Sequence, residues 1–247
     1  MRSEPYALLA EVASVLDPEG WILVGGLMVH CHAQRAGMVN VRPTDDADIV
    51  VELQTHNYSA HAHALRIMGF TAHESLDSHA AFHRFTRDKD TVDLMIPDQA
   101  SPSPRYLGRS LIKVPGSASA LKRTVEHQLP AGTSIRIPDL ASALSLKGAA
   151  HQVPSANAVR HLQDSVTLFA CAGPDGLPTD LSKSMRANVN HLVKCLSTTP
   201  EAWSLSSPQN RVRAVQCIRI LRPDWVAPSF LGSTTTTTTR RRRGTND

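Results

Sequence analysis

Long apolar runs are missing from this chain of 247 residues. No stretch approaches the roughly 18 consecutive apolar residues that a membrane-spanning helix needs. A basic n-region followed by an apolar segment is also missing, since Arg2, Ser3, Glu4 and Pro5 open onto a mixed stretch. The expectation is a cytoplasmic protein without a membrane partner. Cysteines number four (Cys31, Cys171, Cys195 and Cys217) and none forms a CxxC pair. A chain this long needs no disulfide staples, so they are expected as reduced, mostly buried thiols. A zinc-ligand pattern is lacking as well. His30-x-His32 and His61-x-His63 are spaced i,i+2, which does not share a helix face, and no structural zinc is expected.

A strong charge of one sign is absent from most of the chain. The formal net charge is +4, with 26 Lys plus Arg against 22 Asp plus Glu. Arg240 to Arg243 against Asp247 supply +3 of it, so the body up to Phe230 carries +1. The basic pI is a tail effect and does not argue for nucleic-acid binding by the folded body. What the chain does have is 41% hydrophobic and 19% charged residues, enough to bury a core and exclude wholesale disorder. The length allows one large domain or two small ones.

Periodicity divides the chain into an α/β front and a helical back. Leu8, Leu9, Val12, Val15 and Leu16 predict a helix over Tyr6 to Leu16, broken by Asp17-Pro18-Glu19-Gly20. Trp21 to Val24 reads as a short strand ended by Gly25-Gly26, and Leu27 to Ala36 as a helix. A strand over Ala47 to Leu53, a helix over Ser59 to Met68 and a hairpin (Ala81 to Thr86, then Thr91 to Ile96) follow. The Pro/Ser stretch from Pro97 to Pro104 reads as a boundary. Short strands are expected at Ser110 to Val114 and Ser134 to Ile137. Pro138-Asp139 then opens helices over Leu140 to His151, Ala158 to Ala172, Leu181 to Leu196 and Pro208 to Leu221. The tail from Leu231, with six threonines and four arginines, has no apolar periodicity and reads as disordered. Its arginines are either a solvated end or an arm for phosphates.

The informative stretch is Arg42-Pro43-Thr44-Asp45-Asp46-Ala47-Asp48-Ile49-Val50-Val51. Strand residues two apart share a face, so Asp46 and Asp48 project together and Thr44 with them. Carboxylates that close raise one another's pKa, a conflict that a divalent cation removes. Asp93 interrupts the apolar run Val92 to Ile96, where a charge needs a partner or an ion. A strand, two glycines and a helix start bring backbone N–H groups close to a phosphate. The 19 residues between Gly26 and Asp46 leave room for one helix and a return beside the first strand.

Gly25-Gly26, Asp46-x-Asp48 and Asp93 together resemble the α+β nucleotidyltransferase fold of DNA polymerase β-like enzymes, a short mixed sheet flanked by helices and followed by a helical region. With His30 and Arg42-x-Thr44 added, the pattern resembles the AbiEii/MenT toxins of type IV toxin–antitoxin pairs, although Gly25-Gly26 stands where Gly-Ser is commoner. Leu146-Lys147-Gly148-Ala149-Ala150 is similar to that family's helix with an essential lysine, and Arg160-His161-Leu162-Gln163-Asp164 to its later (K/R)xxxD element. The likeness runs from about Trp21 to Ala172.

The resemblance implies a metal-dependent nucleotidyltransferase that moves a nucleoside monophosphate from an NTP to an RNA end, a tRNA 3′ end in particular. It implies a nucleotidyltransferase domain over 1–137, a helical domain over 138–230 completing the NTP site, and a tail over 231–247. By it, Asp46, Asp48 and Asp93 hold Mg²⁺ or Mn²⁺, and Asp93 either completes a second metal site or takes a proton from the acceptor. Gly25, Gly26, Thr44, Arg42 and Lys147 contact the nucleotide, Asp164 belongs to the catalytic set, and an antitoxin protein is a partner.

Without the resemblance the same residues read more plainly. Lys147 shares a stripe with Leu140 and Leu144 and either snorkels to solvent or meets an anion. Asp164 lies off the stripe of Val159, Leu162, Val166 and Phe169 and would pair with Arg160 at the surface, for about a few tenths of a kcal/mol. His30 and Arg42 are structural or line the pocket, and His56, His61, His63, His73, His79 and His83 are packing or surface residues. Two other functions fit the pattern. One is transfer to a protein or small-molecule hydroxyl, as on an aminoglycoside. The other is a non-catalytic nucleotide- or RNA-binding module using Arg240 to Arg243.

Overall fold

The computed structural model describes residues 6–38, 42–54, 56–73, 80–130, 132–155, 158–178 and 180–231. His79 and the Thr/Arg tail from Gly232 onward lie outside the described residues.

Helix α1 (Ala7–Val15) buries Leu8, Leu9 and Val12 and ends before a single 3₁₀ turn at Pro18–Gly20, whose start is capped by the Asp17 side chain. Strand β1 (Trp21–Leu23) is wholly buried. Helix α2 (Gly25–Arg35) begins on the two glycines rather than after them. Strand β2 (Ala47–Val51) follows, then α3 (Tyr58–Ile67), capped by the Asn57 side chain. Strands β3 (Thr71–Ala72), β4 (Arg84–Arg87) and β5 (Asp90–Pro97) complete the main sheet, in the order β1-β2-β5-β4-β3. Strands β2 and β5 are parallel and central, and the β1–β2, β5–β4 and β4–β3 pairs are antiparallel. The expected return of the chain beside β1 is therefore observed, since β2 pairs with β1. The hairpin turn is tighter than expected: Arg87 and Asp90 pair, leaving only Asp88 and Lys89 between them.

The Pro/Ser stretch at 97–104 does not end the sheet. After a small hairpin of β6 (Arg105–Tyr106) and β7 (Arg109–Ser110), strand β8 (Lys113–Val114) returns to pair in parallel with the end of β5. The strand expected over Ser110 to Val114 is thus split in two. A short helix, α4 (Ser117–Ala120), precedes β9 (Thr124–Gln128), which periodicity missed and which pairs with β10 (Ser134–Pro138).

The back of the chain follows its caps. Helix α5 (Leu140–His151) starts where the Asp139 carboxylate accepts from the Ser142 N–H at 2.7 Å. Helices α6 (Ala158–Ala172), α7 (Lys183–Leu196) and α8 (Pro208–Leu221) follow, the last two capped by Ser182 and Ser207. Nine consecutive residues of α5, Ala141 to Ala149, are buried, so this helix is covered on every side. One continuous apolar cluster runs from Leu8 to Ile218 and includes Trp21, Phe85, Phe169 and Trp203. The α+β architecture is the expected one, a short mixed sheet with helices and then a helical region. All four cysteines are free thiols, Cys31 and Cys217 buried, Cys171 and Cys195 half-buried. Among the described residues no helix is long and apolar enough to cross a membrane.

Asp139 both caps α5 and accepts from the Arg123 guanidinium at 2.9 Å. Asp139→Ala is expected to destabilise the protein by about 1–2 kcal/mol in urea denaturation. An unchanged midpoint would contradict that role.

Candidate active site

Strand register sets the centre of the site. Asp48 and Asp93 are direct cross-strand partners on the parallel pair β2 and β5, so their side chains leave the same face at one level. Asp46 lies two residues before Asp48, in the irregular segment that leads into β2, as does Thr44. All four line one cavity of about 520 Å³. Gly25, Gly26, Arg42, Lys147 and Asp164 line it too, so the structure brings to one place every residue to which the resemblance gave a site role.

The two glycines are needed for room. A Cβ on Gly25, whose φ is +66°, would lie 1.7 Å from Asp48 Oδ2, and one on Gly26 would lie 2.7 Å from Thr44 Oγ1. The Asp48 carboxylate sits directly against the first turn of α2, where the Gly26 N–H favours its charged form. The helix N-terminus thus supplies partial positive charge where the carboxylates crowd.

That is not enough to neutralise the crowding. Burial, followed by the charges of Asp93 and Asp46, pushes Asp48 from its ordinary 3.8 up to about 7. Burial and then Asp93 also raise Asp46, with Arg84 and Arg160 opposing. Asp93, only 7% exposed, is held by a partner the sequence reading missed. Arg84 stands opposite it on β4 and grips it with both prongs, Nε to Oδ1 at 2.8 Å and Nη2 to Oδ2 at 2.7 Å. His83 Nε2 lies 3.7 Å from the same carboxylate. The signal was available only as register: Arg84 pairs with Asp93 because the turn is two residues long.

The facing wall is cationic. Lys147, 5% exposed, does not snorkel out; its Nζ donates to Asp164 Oδ2 at 2.7 Å. Asp164 is 3% exposed and does not make the surface pair with Arg160 that its spacing suggested. It accepts from Lys147 and from Arg42, whose Nε lies 3.1 Å from Oδ1. Burial works against the charge of Asp164, but Lys147 and Arg42 outweigh it and hold its carboxyl below the usual range. The periodicity argument failed here because α6 packs against α5 as well as α8 and α2. The face turned to α5 carries a buried charge rather than apolar groups. His30 turns out to be a support: its Nε2 bonds the Arg42 carbonyl at 2.7 Å.

Two further lining residues were not anticipated as functional. His161 is kept neutral, at about 4, by burial and then by Lys147, and its Nδ1 has no partner among the described residues. Arg160 is exposed and lines the cavity beside it.

A divalent cation beside Asp46, Asp48 and Asp93 would relieve their mutual repulsion and pull Asp48 back to the ionised form. The sign of the pH dependence follows. Below about pH 4 Asp48 is protonated in folded and unfolded chains alike. Between about 4 and 7 only the unfolded chain releases the proton, so the metal-free protein loses stability as pH rises through that window. Metal-free Asp48→Asn is therefore expected to melt above the parent at pH 8 and level with it near pH 4. Mg²⁺ should raise the parent's Tm more at pH 8 than at pH 6 and leave that of the variant nearly unchanged. A Tm difference independent of pH would contradict this.

No protein-family model matches the chain, and no curated protein sequence matches it. Among solved structures the chain is similar to an antigenic nucleotidyltransferase-like protein from Paracoccidioides brasiliensis. The identity is 14% and the TM-score 0.48, over 82% of this chain and 93% of that one.

Proposed function

We propose that this chain is a divalent-cation-dependent nucleotidyltransferase, of the AbiEii/MenT toxin kind, that transfers NMP from an NTP to the 3′ end of a tRNA. The observation that carries the reading is the two-sided cavity. Asp46, Asp48 and Asp93 form an anionic wall, and Lys147 with Arg42 a cationic one, with Asp164 between the two cations. A nucleoside triphosphate with its metal has the charge pattern that both walls need.

Asp46, Asp48 and Asp93 would hold Mg²⁺ or Mn²⁺. When bound, the ion neutralises phosphate charge and stabilises the attacking and leaving oxygens of an in-line displacement. The chain's own residues do the rest. The α2 N-terminus at Gly25-Gly26 lets phosphate oxygens approach backbone N–H groups. Lys147, fixed by Asp164, offsets charge on the triphosphate, and Arg42 is held beside it. Arg84 fixes the direction of Asp93, which would take the proton of the acceptor hydroxyl. The acceptor oxygen then bonds to the α-phosphorus, the bond to the bridging oxygen breaks, and pyrophosphate leaves with that electron pair. Exposed Lys113 and Arg160 at the cavity suit a polyanionic acceptor such as RNA. The family reading adds an antitoxin partner and a cytoplasmic site of action.

The test is transfer of label. Purified protein is incubated with total tRNA, Mg²⁺ and each α-labelled NTP in turn. Label on tRNA from one or two of the NTPs, lost with Asp48→Asn, is the expected result. Label sensitive to protease but not nuclease would instead identify a protein acceptor. No label on any macromolecule would sink the tRNA reading and turn attention to small-molecule hydroxyls. Transfer that survives Asp48→Asn would remove the carboxylates from the mechanism.

A further inference from the structure

A second cluster of ligand-type side chains lies away from the cavity, where α5 meets α7. The two helices approach unusually closely. A Cβ on Gly148 would lie 2.5 Å from the Asn188 carbonyl oxygen, so only glycine allows this contact. A polar seam runs along it. Asn188 donates to Ser145 Oγ at 3.1 Å and accepts from Gln152 Nε2 at 3.0 Å. One turn further along, His151 from α5 meets His191 from α7, with Nδ1 and Nε2 2.9 Å apart. Cys195 stands at i,i+4 from His191, on the same face of α7, and its Sγ is 3.7 Å from His191 Nε2. The three donor atoms all lie within 4.8 Å of one another.

These distances are close to those of a coordination site. Tetrahedral zinc, with bonds of about 2.0–2.1 Å to nitrogen and 2.3 Å to sulfur, places two nitrogens about 3.3 Å apart and nitrogen and sulfur about 3.6 Å apart. Such a site needs the two rings a few tenths of an ångström further apart, with the Cys195 sulfur, within 4.8 Å of both nitrogens, closing on the same point. We propose that His151, His191 and Cys195 form a binding site for a borderline-soft transition-metal ion, Zn²⁺ foremost, with the fourth position open to water. Two imidazoles and a thiolate select such an ion over Mg²⁺, whose ligands are hard oxygens. All three residues are half-buried, so an ion can reach them while most water is excluded. His191 also borders a cleft of about 540 Å³ lined by Lys194, Ser197 and Trp225, which gives an approach path.

The ion would clamp α5 to α7 by coordination bonds in place of the His151–His191 hydrogen bond. His151 is one turn beyond Lys147 on α5, so the clamp fixes the helix that carries the cationic wall of the cavity. The site is independent of the reaction assigned to that cavity, and its test does not use activity.

The experiment is a zinc titration of the full chain against a chromophoric chelator, with excess Mg²⁺ present to occupy the cavity carboxylates. One equivalent of Zn²⁺ is expected, with affinity about tenfold or more weaker in Cys195→Ser and in His191→Gln. Cobalt in place of zinc should give thiolate-to-metal charge-transfer absorption in the wild-type protein and none in Cys195→Ser. The cobalt spectrum of the wild type stands even if a variant folds poorly. Zinc affinity equal in all three proteins, or a cobalt complex without thiolate absorption, would overturn the proposal.

Discussion

Asp48 and Asp93 are placed side by side by backbone hydrogen bonding, on the two central strands of the sheet. Neither side chain can move away without breaking the parallel register that the core imposes. Repulsion between them is therefore built into the fold, and much of the surrounding structure answers it. Arg84 clamps one carboxylate from the neighbouring strand. The α2 N-terminus meets the other, at a distance that the glycine at position 25 permits. Burial, together with the repulsion that remains, pushes the Asp48 carboxyl up to about 7, a conflict that a cation would relieve.

The opposite wall solves a different problem. Lys147 lies on a helix buried on all sides and is only 5% exposed, and its charge is met by Asp164 from α6. Asp164 in turn takes Arg42 from the segment between α2 and β2. The trio ties the helical back of the chain to the front half. A buried group of two cations and one anion keeps an excess of positive charge, and an incoming phosphate relieves it. The two walls carry opposite excess charge, and in the proposed function a metal-bound triphosphate would answer both.

The fold was legible where local signals are strong. The helix start at Pro138-Asp139 and clear apolar periodicity placed α5, α6 and α8 at their observed bounds. β9 was missed because Thr124 to Gln128 mixes polar residues with a single valine, and only its pairing with β10 makes it a strand. The carboxylates and glycines of the site were legible because a charge in an apolar strand and a double glycine before a helix are local anomalies. Arg84 was not, since its role depends on a cross-strand register. Asp164 was misread because apolar periodicity detects only apolar faces, and a buried ion pair leaves none. The stripe that made Lys147 look like a snorkelling residue dissolves once all of Ala141 to Ala149 is buried. The metal-type cluster joins His151 to the i,i+4 pair His191 and Cys195 across 40 residues of sequence, beyond any spacing rule for adjacent ligands.

The central claim is that the two walls bind one ligand together. Calorimetric titration with an NTP analogue that cannot be cleaved between the α and β phosphorus atoms tests it directly. The account predicts one site per chain in Mg²⁺, with affinity falling by about tenfold or more when Mg²⁺ is withheld and again in Lys147→Met with Mg²⁺ present. Affinity indifferent to both the metal and the lysine would contradict it.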